Sequence, residues 1–193
     1  MAKLVMVVAP ERFRDEELFQ TRAELEAAGH ATVVASTKVG LATGSRGGSV
    51  ECDSTIEQID PAVFDGVVFV GGGGSKLLFT DAAAQHLAQA MHRQDKLVAA
   101  ICLAPVILAN AGVLAGKRAT VAGTQAKAIT AGGATYTGPG VTTDGNVVTA
   151  NGPKSARLFG QKINEVLASQ HPAAHPGGRP PEPTPPPGAK TST

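Results

Sequence analysis

"KLVAAICLAPVILANAG", residues 96–112, decides the reading of this chain. Its first half, "LVAAI", is a continuous apolar run of the length of a strand buried on both faces. Its second half, "LAPVILANAG", is apolar at helical length. Cys102 stands at the joint. A residue on a sharp strand-to-helix turn is lifted above the end of the sheet, and the positions two before and two after it must be small because the turn brings them together. Here those positions are Ala100 and Ala104. A helix starting at Leu103 would aim free N–H groups at the sulfur and favour the thiolate. The sulfur admits a second reading, since free cysteine is among the residue types most often buried as a small hydrophobe.

Working outward, strand-length apolar runs alternate with helical patterns, which predicts an α/β fold with a mostly parallel sheet between helical layers. "KLVMVVA" (3–9), "HATVVAS" (30–36), "DGVVFV" (65–70), "LVAAI", "RATVA", "ATYT" and "NVVTA" read as strands. "FRDEELFQTRAELEAAGH" reads as a helix with Leu18, Leu25 and Ala28 on one stripe and Gly29 as its stop. Residues 39–55 read as a hairpin or edge excursion turning at "RGG". Thr80 or Asp81 caps a helix over about 81–94. A closing helix, "PKSARLFGQKINEVLAS", has Pro153 in its first turn.

The composition bounds the function. At 193 residues, 42% hydrophobic and 17% charged, residues 1–169 suit one domain with a sizeable core. Residues 170–193 hold eight of the thirteen prolines and no large apolar side chain, so they read as a disordered proline-rich tail. A formal net charge of +1, no Trp and one Tyr argue against nucleic acid as a partner. No apolar segment has the length of a signal peptide core or of a membrane span. Two cysteines make no disulfide framework, so a reducing cytoplasm is expected. Metal-ligand spacings such as H-E-x-x-H and C-x-x-C are absent, and neither a metal nor a cofactor is expected.

"GGGGS" (71–75) follows a strand. Its glycines let backbone come close to a ligand and point N–H groups at developing negative charge. It is not a dinucleotide fingerprint, because Lys76 stands where the third glycine belongs. Nor is "AGVLAGKR" a phosphate loop, since Ala111 and Arg118 replace the required Gly and Ser/Thr. "RFRDEEL" opens the first helix, also at a strand's carboxyl end. Its acidic residues suit the helix macrodipole, and any of Asp15, Glu16 or Glu17 could turn inward toward Cys102.

Together, the opening strand and acidic helix, "FDGVVFVGGGG", "AAICLAPVILANAGVLAGKRAT" and "DGNVVTANGP" resemble the ThiJ/PfpI superfamily over residues 3–168. The resemblance implies a flavodoxin-like three-layer α/β/α sandwich of the class I glutamine amidotransferase type, assembled as a homodimer or higher homo-oligomer. It implies that Cys102 is the elbow cysteine and Glu17 the inward glutamate, with Glu16 as the alternative. Gly72 and the Leu103 N–H match the places that hold an oxyanion, and Gly71 and Gly73 are secondary candidates. A cofactor-independent thiol enzyme acting on small reactive carbonyls follows, as a glyoxalase or deglycase in stress protection. The alternatives are a redox-sensing or chaperone-like stress protein and, more weakly, a cysteine peptidase. Three departures matter. Leu103 replaces the His that protease-like members place after the cysteine, Lys76 replaces a glutamate lent by a neighbouring subunit, and Ala122 stands where other members carry a His. Arg14 and Arg46 are expected to be exposed, with the option of bordering a pocket and attracting an anion. Cys52 is expected as a half-buried thiol on an edge strand. His30, His86 and His92 are expected at the surface.

Overall fold

The computed structural model describes residues 1–171. Seven strands form the central sheet: β1 (Lys3–Val7), β3 (Ala31–Ser36), β6 (Ser54–Thr55), β7 (Gly66–Phe69), β8 (Leu97–Ile101), β11 (Val141–Asp144) and β12 (Val147–Ala150), in the order β11-β12-β8-β7-β1-β3-β6. All neighbouring pairs run parallel except the hairpin of β11 with β12. A side sheet joins β2 (Glu11–Phe13), β4 (Gly40–Gly44) and β5 (Ser49–Cys52), while β9 (Arg118–Ala119) pairs with β10 (Thr135–Tyr136).

Alternation along the strands builds two cores, because successive side chains point to opposite faces. Val5, Val7, Val67, Phe69, Val98 and Ala100 face a layer made by α2 (Ala82–Arg93), α3 (Pro105–Asn110) and α4 (Ala126–Ala131). Leu4, Met6, Val68, Ala99 and Ile101 face α1 (Asp15–Ala27) and α5 (Ala156–Gln170). This is the expected three-layer sandwich, with β7 and β8 central and buried throughout.

Local signals act as expected at several joints. Gly29, at φ 87°, ends α1, with its N–H bonded to the Glu26 carbonyl and the His30 N–H to that of Leu25. Asp81, not Thr80, caps α2 by accepting from the Ala84 N–H at 2.8 Å. Residues 39–55 form a hairpin, with β4 antiparallel to β5. Other expectations are corrected. Ala28 is exposed, and the buried stripe of α1 is Glu17, Leu18, Thr21 and Leu25. α3 begins at Pro105 rather than Leu103 and spans six residues. "RATVA" stays outside the central sheet, because the Thr120 N–H bonds the Thr149 hydroxyl at 2.9 Å instead of continuing a ladder. Pro153 opens a short 3-10 turn ahead of α5. α5 itself ends at Gln170, and the proline-rich tail beyond His171 lies outside the described residues. No helix among the described residues is long and apolar enough to cross a membrane.

Phe159 is fully buried in the layer formed by α1 and α5. Phe159→Ala is expected to lower stability by about 3–5 kcal/mol in urea denaturation, the usual result of removing a buried aromatic ring.

Candidate functional site

The carboxyl ends of β1, β7 and β8 bring three segments together: the turn at Cys102, the glycine run after β7, and the start of α1. Cys102 has φ 65°, a left-handed conformation unusual for a residue with a side chain. Its backbone is pinned on both sides. The N–H donates to the Ala150 carbonyl at 2.8 Å, and its carbonyl accepts from the Ala122 N–H at 2.8 Å. Ala104 is fully buried in the turn, as a small residue there must be. The side chain remains partly exposed.

Among the three acidic residues that open α1, it is Glu17 that turns inward. It is completely buried, and its Oε2 accepts from the Gly71 N–H at 2.9 Å. Its Oε1 is buried without a well-directed hydrogen bond. Glu16 points outward into an ion pair, accepting from Arg14 Nε at 2.7 Å. Asp15 does a third thing: its carboxylate accepts from the Arg46 N–H at 2.8 Å and the Gly48 N–H at 2.7 Å, tying the β4–β5 turn to α1.

Gly71 is the spacer. A Cβ there would stand 2.6 Å from Cys102 Cβ and 2.6 Å from Glu17 Oε2, so only hydrogen fits between the two. Gly71 therefore serves Glu17 directly rather than an oxyanion. Gly72, at φ 99°, packs against the backbone of residues 12–14, where a Cβ would come within 2.5 Å of the Arg14 nitrogen. The N–H groups of Gly72 and Leu103 act on the Cys102 sulfur and favour its anion. A Cβ on Gly73 would meet nothing, and Gly73 simply opens a 3-10 turn over Gly73–Leu78.

Burial dominates the electrostatics. It pushes the Glu17 carboxyl up to about 7, against the opposing hydrogen-bonding influence of the Cys102 thiol and the Gly71 N–H. Burial likewise raises Cys102 to about 12, and the neighbouring Glu17 charge adds to the rise. This corrects the expected thiolate. Helix α3 is one and a half turns long and starts two residues late, and the two N–H groups do not offset desolvation. At neutral pH the pair therefore holds its proton on sulfur while the carboxyl is half ionised.

The remaining candidates disperse. Arg46 is exposed, whereas Arg14 is only 27% exposed and its charge reaches both Glu17 and Cys102. Cys52 is fully buried on β5, and burial raises its thiol to about 11. His86 is exposed, but His30 and His92 are half-buried, and His30 Nδ1 accepts from the Ala2 N–H at 3.0 Å. Among the described residues no group of three or more His, Cys, Asp or Glu is placed to hold a metal ion. A cavity of about 440 Å³, lined partly by Ile56, Ile59, His86 and Leu87, lies between α2 and the segment after β6 and shares no residue with the Cys102 site.

Burial makes Glu17 a source of pH-dependent stability. A carboxyl raised in the folded state binds a proton that the unfolded chain releases, so its contribution to stability is full below the ordinary value of 4.5 and is lost as pH rises to about 7. The total is on the order of 3 kcal/mol. Glu17→Gln should flatten this slope in urea titrations at pH 5 and pH 8, and an unchanged slope would contradict the assignment.

Known proteins carry the same pattern. The family model described as the DJ-1/PfpI family matches residues 2–166. An uncharacterised protein of Methanocaldococcus jannaschii is 42% identical over 169 residues, covering 86% of this chain and 82% of the relative. A Pyrococcus furiosus protein named deglycase PfpI is 34% identical over 116 residues, 60% of this chain and 70% of its own. The crystal structure of a ThiJ/PfpI domain protein from Brachyspira murdochii superposes with a TM-score of 0.85 at 36% identity, covering 86% of this chain and 96% of that one.

Proposed function

The chain belongs to the DJ-1/PfpI family, and on that premise we propose that it is a cysteine-dependent enzyme acting on small reactive carbonyls or their adducts, in the manner of a glyoxalase or deglycase. Cys102 is the nucleophile and Glu17 its proton partner. One observation carries this reading: a fully buried carboxyl with a pKa near neutrality, separated by a single glycine from a thiol on a strained turn. A group titrating near the working pH is suited to both accepting and returning a proton.

The chemistry balances without an added oxidant or cofactor. With a 2-oxoaldehyde, the sulfur adds to the aldehyde carbon as ionised Glu17 takes the thiol proton. Glu17 passes that proton to the new oxygen, which completes a hemithioacetal and leaves Glu17 ionised again, and the N–H groups of Gly72 and Leu103 hold that oxygen while charge develops on it. Glu17 then moves the proton of the former aldehyde carbon to the ketone oxygen, giving an enediol, and carries the hydroxyl proton of the first carbon to the second carbon as the thioester carbonyl forms. This oxidises the first carbon to a thioester and reduces the second to an alcohol. Water cleaves the thioester, releasing a 2-hydroxy acid and restoring the thiol.

The same residues weaken the alternatives. Peroxide oxidation begins from thiolate, and burial holds Cys102 toward the thiol. A peptidase lacks the histidine of a Cys-His dyad, because Leu103 and Ala122 occupy both positions at which family members place it. Assembly as a homodimer and residence in the cytoplasm belong to the same proposal.

Methylglyoxal should be converted to lactate by the purified protein. Turnover is expected to vanish in Cys102→Ser and to fall at least about a hundredfold in Glu17→Gln, the usual scale for losing a general base. In the wild type, kcat/KM should rise with pH through an apparent pKa near 7. Turnover that survives Cys102→Ser would remove the proposal.

A further inference from the structure

At the start of α1 stands a second set of charges that the proposed chemistry leaves unused. Arg14 occupies the N-cap position, and its N–H donates to the Gly71 carbonyl at 3.0 Å. Its backbone abuts Gly72, the glycine whose own N–H acts on the sulfur. The guanidinium is held along one edge by Glu16, through Nε at 2.7 Å and Nη2 at 3.4 Å. A guanidinium has five N–H donors in a fixed fork. The other edge is bonded to nothing among the described residues, so Glu16 orients Arg14 without using it up. Arg46 acts on Glu16 as well, and its backbone is fixed by the Asp15 carboxylate at 2.8 Å. Glu16 and Asp15 balance the charges of Arg14 and Arg46 overall, but Arg14 keeps its unbonded donors and its charge acts on the half-buried thiol. A neutral substrate such as methylglyoxal gives that charge nothing to bind.

We propose that Arg14, oriented by Glu16 and supported by Arg46, makes the Cys102 site selective for anionic carbonyls: 2-oxoaldehydes whose ketone side ends in a carboxylate. The substrate class rests on the enzymatic reading above, but the anion preference does not. With the aldehyde carbon on sulfur and its oxygen toward Gly72 and Leu103, the rest of the substrate runs toward the start of α1. There the free edge of the guanidinium presents paired donors that match a carboxylate. The reaction is the one already balanced, with the carboxylate a spectator, and the product is a 2-hydroxy diacid.

Two measurements on the full chain test the proposal. The first compares alkylation of Cys102 by iodoacetate and iodoacetamide, which differ in charge and require no turnover, with Cys102→Ser as the background. The iodoacetate-to-iodoacetamide rate ratio should exceed that of N-acetylcysteine by about tenfold, fall to the free-thiol ratio in Arg14→Gln, recover partly in Arg14→Lys, and shrink as salt screens the charges. The second compares kcat/KM for 4,5-dioxopentanoate and methylglyoxal. The wild type should prefer the anion, and the preference should fall about tenfold in Arg14→Gln, chiefly through KM. An alkylation ratio equal to that of N-acetylcysteine, or unmoved by Arg14→Gln, overturns the anion preference even if both carbonyls are consumed. A raised ratio lost in Arg14→Gln, with neither carbonyl consumed, upholds the preference and overturns the enzymatic reading instead.

Discussion

A carboxyl group and a thiol share a space from which Gly71 excludes everything larger than hydrogen, and the rest of the site is arranged around that contact. Gly71 supplies the N–H that fixes Glu17 Oε2 and leaves no room for a side chain between Glu17 and Cys102. The parallel order of β1, β7 and β8 is what makes the meeting possible. Each strand delivers its following segment to the same end of the sheet, where open α/β sheets place their ligands. The backbone of Cys102 is then locked by Ala150 and Ala122, from β12 and the loop after β9. Five separated stretches of chain therefore fix one sulfur atom.

Desolvation, more than helix dipoles, sets the chemistry there. A six-residue helix whose first residue is proline offers little positive field, and two N–H groups cannot outweigh removal of the thiol from water. A reactive thiolate is not the resting state. In the proposed chemistry reactivity comes instead from proximity, with the Glu17 carboxylate placed to take the proton as the sulfur attacks.

Much of this was legible in the sequence, and the parts that were not have physical causes. The core strands announced themselves by unbroken β-branched and aliphatic runs, and Ala100 and Ala104 marked the elbow. The choice among Asp15, Glu16 and Glu17 could not be made from spacing. A helix rotates 100° per residue, so three consecutive acids sample most of its circumference, and only packing against Gly71 selects one. α4 went unread because "QAKAITA" is short and mostly small residues. β2 is a three-residue strand whose pairing partner lies in a distant hairpin. β11, by contrast, left a signal: Gly145–Asn146 is a two-residue hairpin turn with glycine first, and a turn before "VVTA" requires a strand on its other side. Arg14 reads in the sequence as exposed with the option of bordering a pocket, and only its packing at the start of α1 decides between the two.

That last difference bears on how the site distinguishes substrates. Without histidine at positions 103 and 122, the proposed chemistry rests on one carboxyl, and Arg14 at the opening of α1 adds its charge near the sulfur. There each acidic residue has a separate task. Asp15 holds the hairpin, Glu16 holds Arg14, and Glu17 turns inward to the Gly71 N–H beside the sulfur. A like-charged run that reads as simple helix-dipole compensation is thus divided by geometry into scaffold, orientation and chemistry. Moving any one of them by a single residue would exchange its role with its neighbour's, because successive positions point toward the hairpin, the solvent-facing ion pair and the buried sulfur in turn.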